Sequence, residues 1–371
     1  MPKEQINVLI TDDSKVSRDL LAYIISLDPA INVMGFAENG IEALKFIKKH
    51  QPDVIVTDIE MPEMNGFQLT RKIMETNPIP IIVISGVYNQ AEVATGFEAI
   101  EAGALAIIEK PKGLGDSHCM DTARFVAETI KIMSDVKLQS INSSLTPPVP
   151  SKNISSKATS KPIECNDSNS DLNLDTFIKT GKFEAVGIGA SIGGPKAIRT
   201  LLSQLPKDFP LPIFVVQHIT SGFIEGFINW LNASTTFNVK IAEEGEQVRP
   251  GYVYVCPDKQ LMGVDNNKCI TLKDATPMDQ SEFSISEIFR TMSKTYGDKC
   301  IGVILTGTGK DGVPELLELK KMGAYTIAQD DVTSVKFDLP QKAIQAGAIS
   351  KVLPLHQIAI VLEEIVSSSE T

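Results

Sequence analysis

Short apolar runs alternate with amphipathic stretches through two long segments of the chain. In roughly the first 110 residues the runs are Val8–Ile10, Val33–Phe36, Val54–Val56, Ile79–Ile84 and Ala104–Ile108. Between them lie stretches of helical spacing such as Ser17–Leu27 and Ile41–Lys48. Five such repeats predict βα units wound into a parallel sheet with helices on both faces. The alternation resumes at Lys182. Its apolar runs are Ala185–Ala190, Ile213–Gln217, Val239–Ala242, Tyr252–Cys256, Cys269–Leu272, Ile301–Thr306 and Tyr325–Gln329. The fold class is therefore α/β, with two doubly wound units in tandem.

Between the two segments the pattern changes. Asp121 to Leu138 keeps helical spacing through Phe125, Ile130, Ile132, Met133 and Val136. From Gln139 to Leu172 the chain is rich in Ser, Asn, Lys, Thr and Pro, and includes Pro147-Pro148-Val149-Pro150. Such a stretch buries little apolar surface and reads as a flexible polar linker. Composition narrows the partners. Net charge is −11, with −6 on residues 1–112, −1 on 113–180 and −4 on 181–371. No segment is basic, which argues against nucleic acid as a partner. No apolar run approaches 18 residues and no signal-like segment opens the sequence, so a cytoplasmic protein without membrane insertion is expected. The five cysteines are scattered without paired spacing, which speaks against a zinc site or a disulfide framework.

Candidate chemistry sits at the ends of the strand runs. Asp12-Asp13 closes the first run and Asp58 the third, while Ser85 and Lys110-Pro111 follow the fourth and fifth. Adjacent parallel strands deliver their C-terminal residues to one crevice. Three carboxylates crowded there invite a hard divalent cation such as Mg²⁺. A hydroxyl and an ammonium at the same edge suit phosphoryl oxygens, so the set reads as an aspartate that accepts a phosphoryl group. Over residues 5–112 this pattern resembles the response-regulator receiver family. The resemblance implies that Asp58 is the phosphoacceptor. It also implies Mg²⁺ ligation by Asp13, Asp58 and the Glu60 carbonyl, with Asp12 in support, and phosphoryl contacts from Ser85 and Lys110. Ile107 departs from the Tyr or Phe usual in that family.

In the second segment, Gly187-Ile188-Gly189-Ala190-Ser191-Ile192-Gly193-Gly194-Pro195 joins an apolar run to a helix-like stretch, Lys196 to Leu205. A serine on such a turn stands clear of the backbone, beside free N–H groups at a helix start. The same glycines can cradle a phosphate. The dinucleotide pattern fits poorly, because its third glycine comes one residue late. A serine nucleophile needs a base, and of four histidines only His218 closes an apolar strand run, the one after Ser191. The acid that orients it is best sought at Asp311, in the glycine-rich loop after Ile301–Thr306, with Asp330 and Asp331 as rivals.

Receiver, polar linker and this second segment together resemble the chemotaxis protein-glutamate methylesterase family, through Gly189-Ala190-Ser191, Gly193-Gly194-Pro195, Val216-Gln217-His218, Leu305-Thr306-Gly307 and Asp311-Gly312. That resemblance implies a Ser191–His218–Asp311 triad with an oxyanion region around Ile192, Gly193 and Thr308. It implies hydrolysis of glutamate methyl esters on methylated chemoreceptors, deamidation of glutamines as a second activity, no cofactor at the esterase site, and the pathway's histidine kinase as phosphodonor. The expected units are then a receiver at 1–115, a helix and linker at 116–180, and a catalytic region at 181–371. Ile192, Thr308, Lys336 and Asp338 depart from the family pattern, and Pro257–Met262 lacks a histidine expected there. Two rival outputs remain at this level: a catalytically weakened binding module and, less consistent with the acidic composition, a DNA-binding region.

Overall fold

The computed structural model describes residues 5–86, 90–111, 113, 119–136, 138 and 183–367. The polar stretch 139–172 and His118 lie outside the described residues. The first unit contains β1 (Ile6–Thr11), α1 (Lys15–Ser26), β2 (Ile31–Ala37), α2 (Gly40–Ile47), β3 (Val54–Asp58), α3 (Gly66–Thr76), β4 (Ile81–Ser85), α4 (Gln90–Ala102), β5 (Ala106–Glu109) and α5 (Cys119–Ser134). Its five strands are parallel in the order β2-β1-β3-β4-β5. β3 and β4 are buried along their whole length, as unbroken apolar runs covered on both faces must be. Side-chain caps fix the helix starts. Ser14, Asn39 and Asn65 each accept a backbone N–H of the turn they open.

The second unit is built on a seven-stranded sheet in the order β14-β13-β12-β6-β7-β9-β8. Its strands are β6 (Ala185–Ala190), β7 (Ile213–Gln217), β8 (Asn238–Ile241), β9 (Tyr252–Val255), β12 (Cys300–Ile304), β13 (Tyr325–Gln329) and β14 (Lys351–Leu353). All neighbouring pairs are parallel. The helices are α6 (Gly194–Gln204), α7 (Ile224–Ser234), α8 (Pro277–Tyr296), α9 (Val313–Lys321), α10 (Asp338–Gln345) and α11 (Leu355–Ser367). The strands β10 (Gln260–Val264) and β14 have no counterpart among the apolar runs, and one expected strand lies elsewhere. The run Cys269–Leu272 is not a strand of the main sheet. It belongs to β11 (Ile270–Asp274), which pairs antiparallel with β10 (Gln260–Val264) as a separate hairpin.

β6 is the strand from which the chain winds outward in both directions. β7 lies on one side and β12 on the other, so the crevice at their C-terminal ends is the switch point of the sheet. Glycines in β6 allow α8 to lie directly on it. A Cβ at Gly187 would stand 2.5 Å from Met292 Sδ, and one at Gly189 2.5 Å from Ile285 Cγ2. That close approach brings the backbone of Ile285 and Ser286 to the crevice.

The two units share apolar packing. Phe97 of α4 is fully buried and stacks on Trp230 of α7, with ring centroids 5.5 Å apart, and lies 5.8 Å from Phe227. The Arg199 guanidinium covers Trp230 at 5.4 Å and pairs with Glu101 at 3.0 Å. Aromatic contacts of this kind add about 0.5–1.5 kcal/mol each beyond burial.

Candidate functional sites

Two sites form at the C-terminal edges of the two parallel sheets. In the first, β1 and β3 are neighbours, so Asp12, Asp13 and Asp58 meet. One carboxylate oxygen from each lies within 4.8 Å of the others. Lys110, just past β5, donates to Asp58 Oδ2 at 2.6 Å and reaches Asp12 Oδ2 at 2.8 Å. Asp12 also accepts from Ser14 N at 2.9 Å and from Ser17 Oγ at 2.6 Å, which locks its orientation. Arg18 braces the turn by donating to the carbonyls of Asp12 and Asp13 at 2.6 and 3.1 Å, a support that the sequence reading missed. Ser85 is fully buried at the end of β4, and its hydroxyl lies 3.4 Å from the Gly86 carbonyl. An open cleft of about 730 Å³ runs over Asp13, Asp58, Glu60, Asn65 and Lys110. Three crowded hard oxygen donors with a single ammonium beside them fit Mg²⁺.

Burial lifts the Asp58 carboxyl to about 6, against the pull of Lys110. Burial also acts to depress the Lys110 ammonium, but its bonds to Asp12 and Asp58 outweigh this and hold it above the ordinary lysine value. A carboxyl whose affinity for protons rises on folding favours the fold in full below about pH 4. That contribution is lost as pH rises to about 6. Asp58→Asn should therefore stabilise the protein at pH 7.5 in EDTA by about 1–3 kcal/mol. The gain should fade toward pH 4. Urea unfolding at the two pH values checks this, and a variant less stable than wild type at pH 7.5 would contradict it.

The second site is assembled from three adjacent strands. Ser191 follows β6 and is 7% exposed. His218 follows β7, whose register pairs Gln217 with Ala190, and His218 N donates to Ala190 O at 3.0 Å. Asp311 lies in the loop after β12, on the other flank of β6. His218 Nε2 and Asp311 Oδ2 are 2.9 Å apart. Asp311 is 5% exposed, and its carboxylate also accepts from the backbone N–H groups of Ile285 and Ser286, each at 2.8 Å. Among the described residues Ser191 Oγ has no hydrogen bond to His218; the shared strand edge brings them together. Asp330, a rival for the acid, instead caps its own turn by accepting from Thr333 N at 3.0 Å and Thr333 Oγ1 at 2.5 Å.

The turn around Ser191 is held from the β12 side as well. Ser191 N donates to Thr306 O at 3.1 Å, and Thr306 Oγ1 donates to Ile192 O at 2.9 Å. Thr306 N in turn donates to the buried amide oxygen of Gln329 at 2.9 Å. Gly193 has φ +76, a left-handed conformation that opens α6, and a Cβ there would meet Val335 at 2.6 Å. Thr308 is half-buried, and the neighbouring Gly309 N donates to Asp338 Oδ2 at 3.0 Å. The unusual Asp338 thus fastens the loop that carries Thr308.

The first unit reaches this edge. Ile192 and Val335, like Val136, pack against an apolar cluster that includes Val126 and Ile108. Thr220 Oγ1 lies 3.4 Å from Ile107 O, and Lys336 Nζ lies 3.7 Å from Asp135. Residues beside Ser191, His218 and Thr306 therefore each touch the first unit or the end of α5.

Comparison with known proteins decides the family. The response regulator receiver domain profile matches residues 8–118, and the CheB methylesterase profile matches residues 186–362. The chain is 42% identical over 362 residues to the protein-glutamate methylesterase/protein-glutamine glutaminase of Nitrosospira multiformis, covering 98% of this chain and 97% of that one. The chain belongs to the protein-glutamate methylesterase/protein-glutamine glutaminase family. A Syntrophus aciditrophicus protein of the same description is 41% identical over 366 residues, covering 98% of this chain and 99% of that one. The crystal structure of the Thermotoga maritima CheB methylesterase catalytic domain is 35% identical, covers 50% of this chain and all of that one, and has a TM-score of 0.47. Membership makes the chain a carboxylic ester hydrolase with a receiver domain in front. Among the described residues no helix is long and apolar enough to cross a membrane.

Proposed function

We propose that the chain hydrolyses glutamate methyl esters on the cytoplasmic helices of chemoreceptors, and deamidates glutamines there, through Ser191, His218 and Asp311. The observation that carries this reading is the 2.9 Å contact between His218 Nε2 and the buried Asp311, on strands flanking the one that ends in Ser191. With Nε2 engaged, the proton sits on Nε2 and Nδ1 is the basic atom that faces substrate. His218 Nδ1 takes the Ser191 proton as Oγ attacks the acyl carbon, and returns it to the departing methanol, or to ammonia from an amide. Water then adds to the acyl-enzyme by the same route, and the carboxylate leaves. Backbone N–H groups around Ile192, Gly193 and Thr308 stabilise the oxyanion, each worth about 3–4 kcal/mol. Methanol release from methylated receptor, wild type against Ser191→Ala, tests the assignment.

Control resides in the receiver. A histidine kinase donates a phosphoryl group to Asp58, where Ser85 and Lys110 contact its oxygens. Asp12, Asp13, Asp58 and the Glu60 carbonyl would hold Mg²⁺, which when bound offsets charge at the acceptor. The domain limits proposed are 1–115 for the receiver, 116–180 for helix and linker, and 181–371 for the catalytic region, in a cytoplasmic protein. The receiver's contacts at Ile192, Thr220 and Lys336 support a resting state in which it obstructs the serine crevice. Phe97→Ala removes the ring stacked on Trp230 and should raise methanol release without a phosphodonor by about tenfold, a shift of about 1.4 kcal/mol in the docking of the two units. An unstimulated rate equal to wild type would refute the obstruction.

A further inference from the structure

Gln217 is the last residue of β7 and is 8% exposed. Its Nε2 donates to two backbone carbonyls, Ser191 O and His218 O, both at 2.8 Å. Those residues are the proposed nucleophile and base, on separate strands. The amide has one sensible orientation, because both facing atoms are carbonyl oxygens and only the NH₂ end can satisfy them. Oε1 is then buried with no hydrogen-bond partner among the described residues. An unpaired buried oxygen forfeits its hydration without return. The space it occupies exists only because residue 194 is glycine: a Cβ there would lie 1.9 Å from Oε1.

The two bonds have a directional consequence. In a planar trans peptide the C=O and the following N–H point in opposite directions. Drawing the Ser191 carbonyl inward, where it also accepts from Gly194 N at 2.9 Å, turns the Ile192 N–H outward, and drawing the His218 carbonyl inward does the same for the Ile219 N–H. Neither N–H has an acceptor among the described residues. One side chain thus engages the carbonyls that precede two unpaired donors, and ties the nucleophile turn to the strand end that carries the base.

We propose that Gln217 is a positioning residue for the esterase reaction, setting the distance between Ser191 and His218 and aiming the Ile192 and Ile219 N–H groups at the oxyanion. The inference rests on the reading of Ser191 and His218 as nucleophile and base. In the full-length protein, Gln217→Met keeps the length of the side chain and removes both bonds. With methylated receptor as substrate, kcat should fall about 10- to 100-fold, as expected for a reacting group displaced by up to 1 Å, with KM nearly unchanged. Gln217→Glu puts a carboxylate against two carbonyls at neutral pH, but its protonated form regains one donor. Its kcat relative to wild type should therefore rise as pH is lowered. Wild-type kcat in folded Gln217→Met, with only the melting temperature lowered, would overturn the proposal. If Gln217→Met does not fold, the Glu variant decides: a rising ratio supports the role, and a ratio flat across pH overturns it. Ser191→Ala in parallel separates the two failures. Full activity there would mean that the nucleophile reading is wrong, whereas loss there with wild-type kcat in Gln217→Met would remove only the role of Gln217.

Discussion

Ser191→Ala should lower methanol release from methylated receptor by about 10⁴-fold or more, because no acyl-enzyme forms without Oγ. The residual rate is that of water in a crevice that still holds His218 and the oxyanion donors. Stability should hardly change. The turn is fixed by backbone bonds, from Ser191 N to Thr306 O and from Gly194 N to Ser191 O, and both survive the substitution. Phosphorylation of Asp58 should also be retained, since the receiver cleft lies on the other sheet. Kinetics with radiolabelled methyl groups, alongside phosphoryl transfer from the kinase, checks both halves. Retained esterase activity would send the search for a nucleophile elsewhere.

Asp311→Asn is expected to be nearly as damaging to rate and, unlike the serine change, also to stability. The carboxylate accepts three hydrogen bonds, from His218 Nε2, Ile285 N and Ser286 N. An amide has one accepting oxygen and one donating nitrogen, so at least one of these donors faces an NH₂. With the NH₂ at the Oδ1 place Ser286 N is left unpaired, and at the Oδ2 place Ile285 N is, so either orientation costs about 1–3 kcal/mol. At the Oδ2 place the NH₂ also faces the histidine, the tautomer reverses and the basic nitrogen turns away from Ser191, which lowers kcat by about 10³–10⁴-fold. Steady-state kinetics and urea unfolding on one preparation report both effects. A variant within about tenfold of wild type would give the orienting role to another group.

Strand ends explain why so much was legible. Asp58 closes a buried strand and Asp12, Ser191 and His218 each follow one directly, and parallel neighbours bring such residues together. Asp311 was harder to place, because six residues separate it from the last strand residue, Ile304. The hairpin strand β10 was missed since Gln260-Leu261-Met262-Gly263-Val264 mixes polar, small and apolar positions without a clean period. β14 is three residues long with two of them exposed, too short for any pattern. Gln217 stands inside Val216-Gln217-His218, where the sequence pattern assigns it no role. A polar residue that closes a fully buried strand is the signal that could have raised one. The contact of Phe97 with Trp230 was invisible because packing between two units imposes no periodicity on either.

That contact has an optical consequence. Trp230 is the only tryptophan in the chain, and it sits face to face with a receiver ring beneath a guanidinium. Excitation selective for indole therefore interrogates the seam between the two halves and nothing else. The protein carries an intrinsic fluorophore at the joint that the proposed control by the receiver would have to loosen, so separation of the halves can be sought in unlabelled material, in real time, as phosphodonor is added.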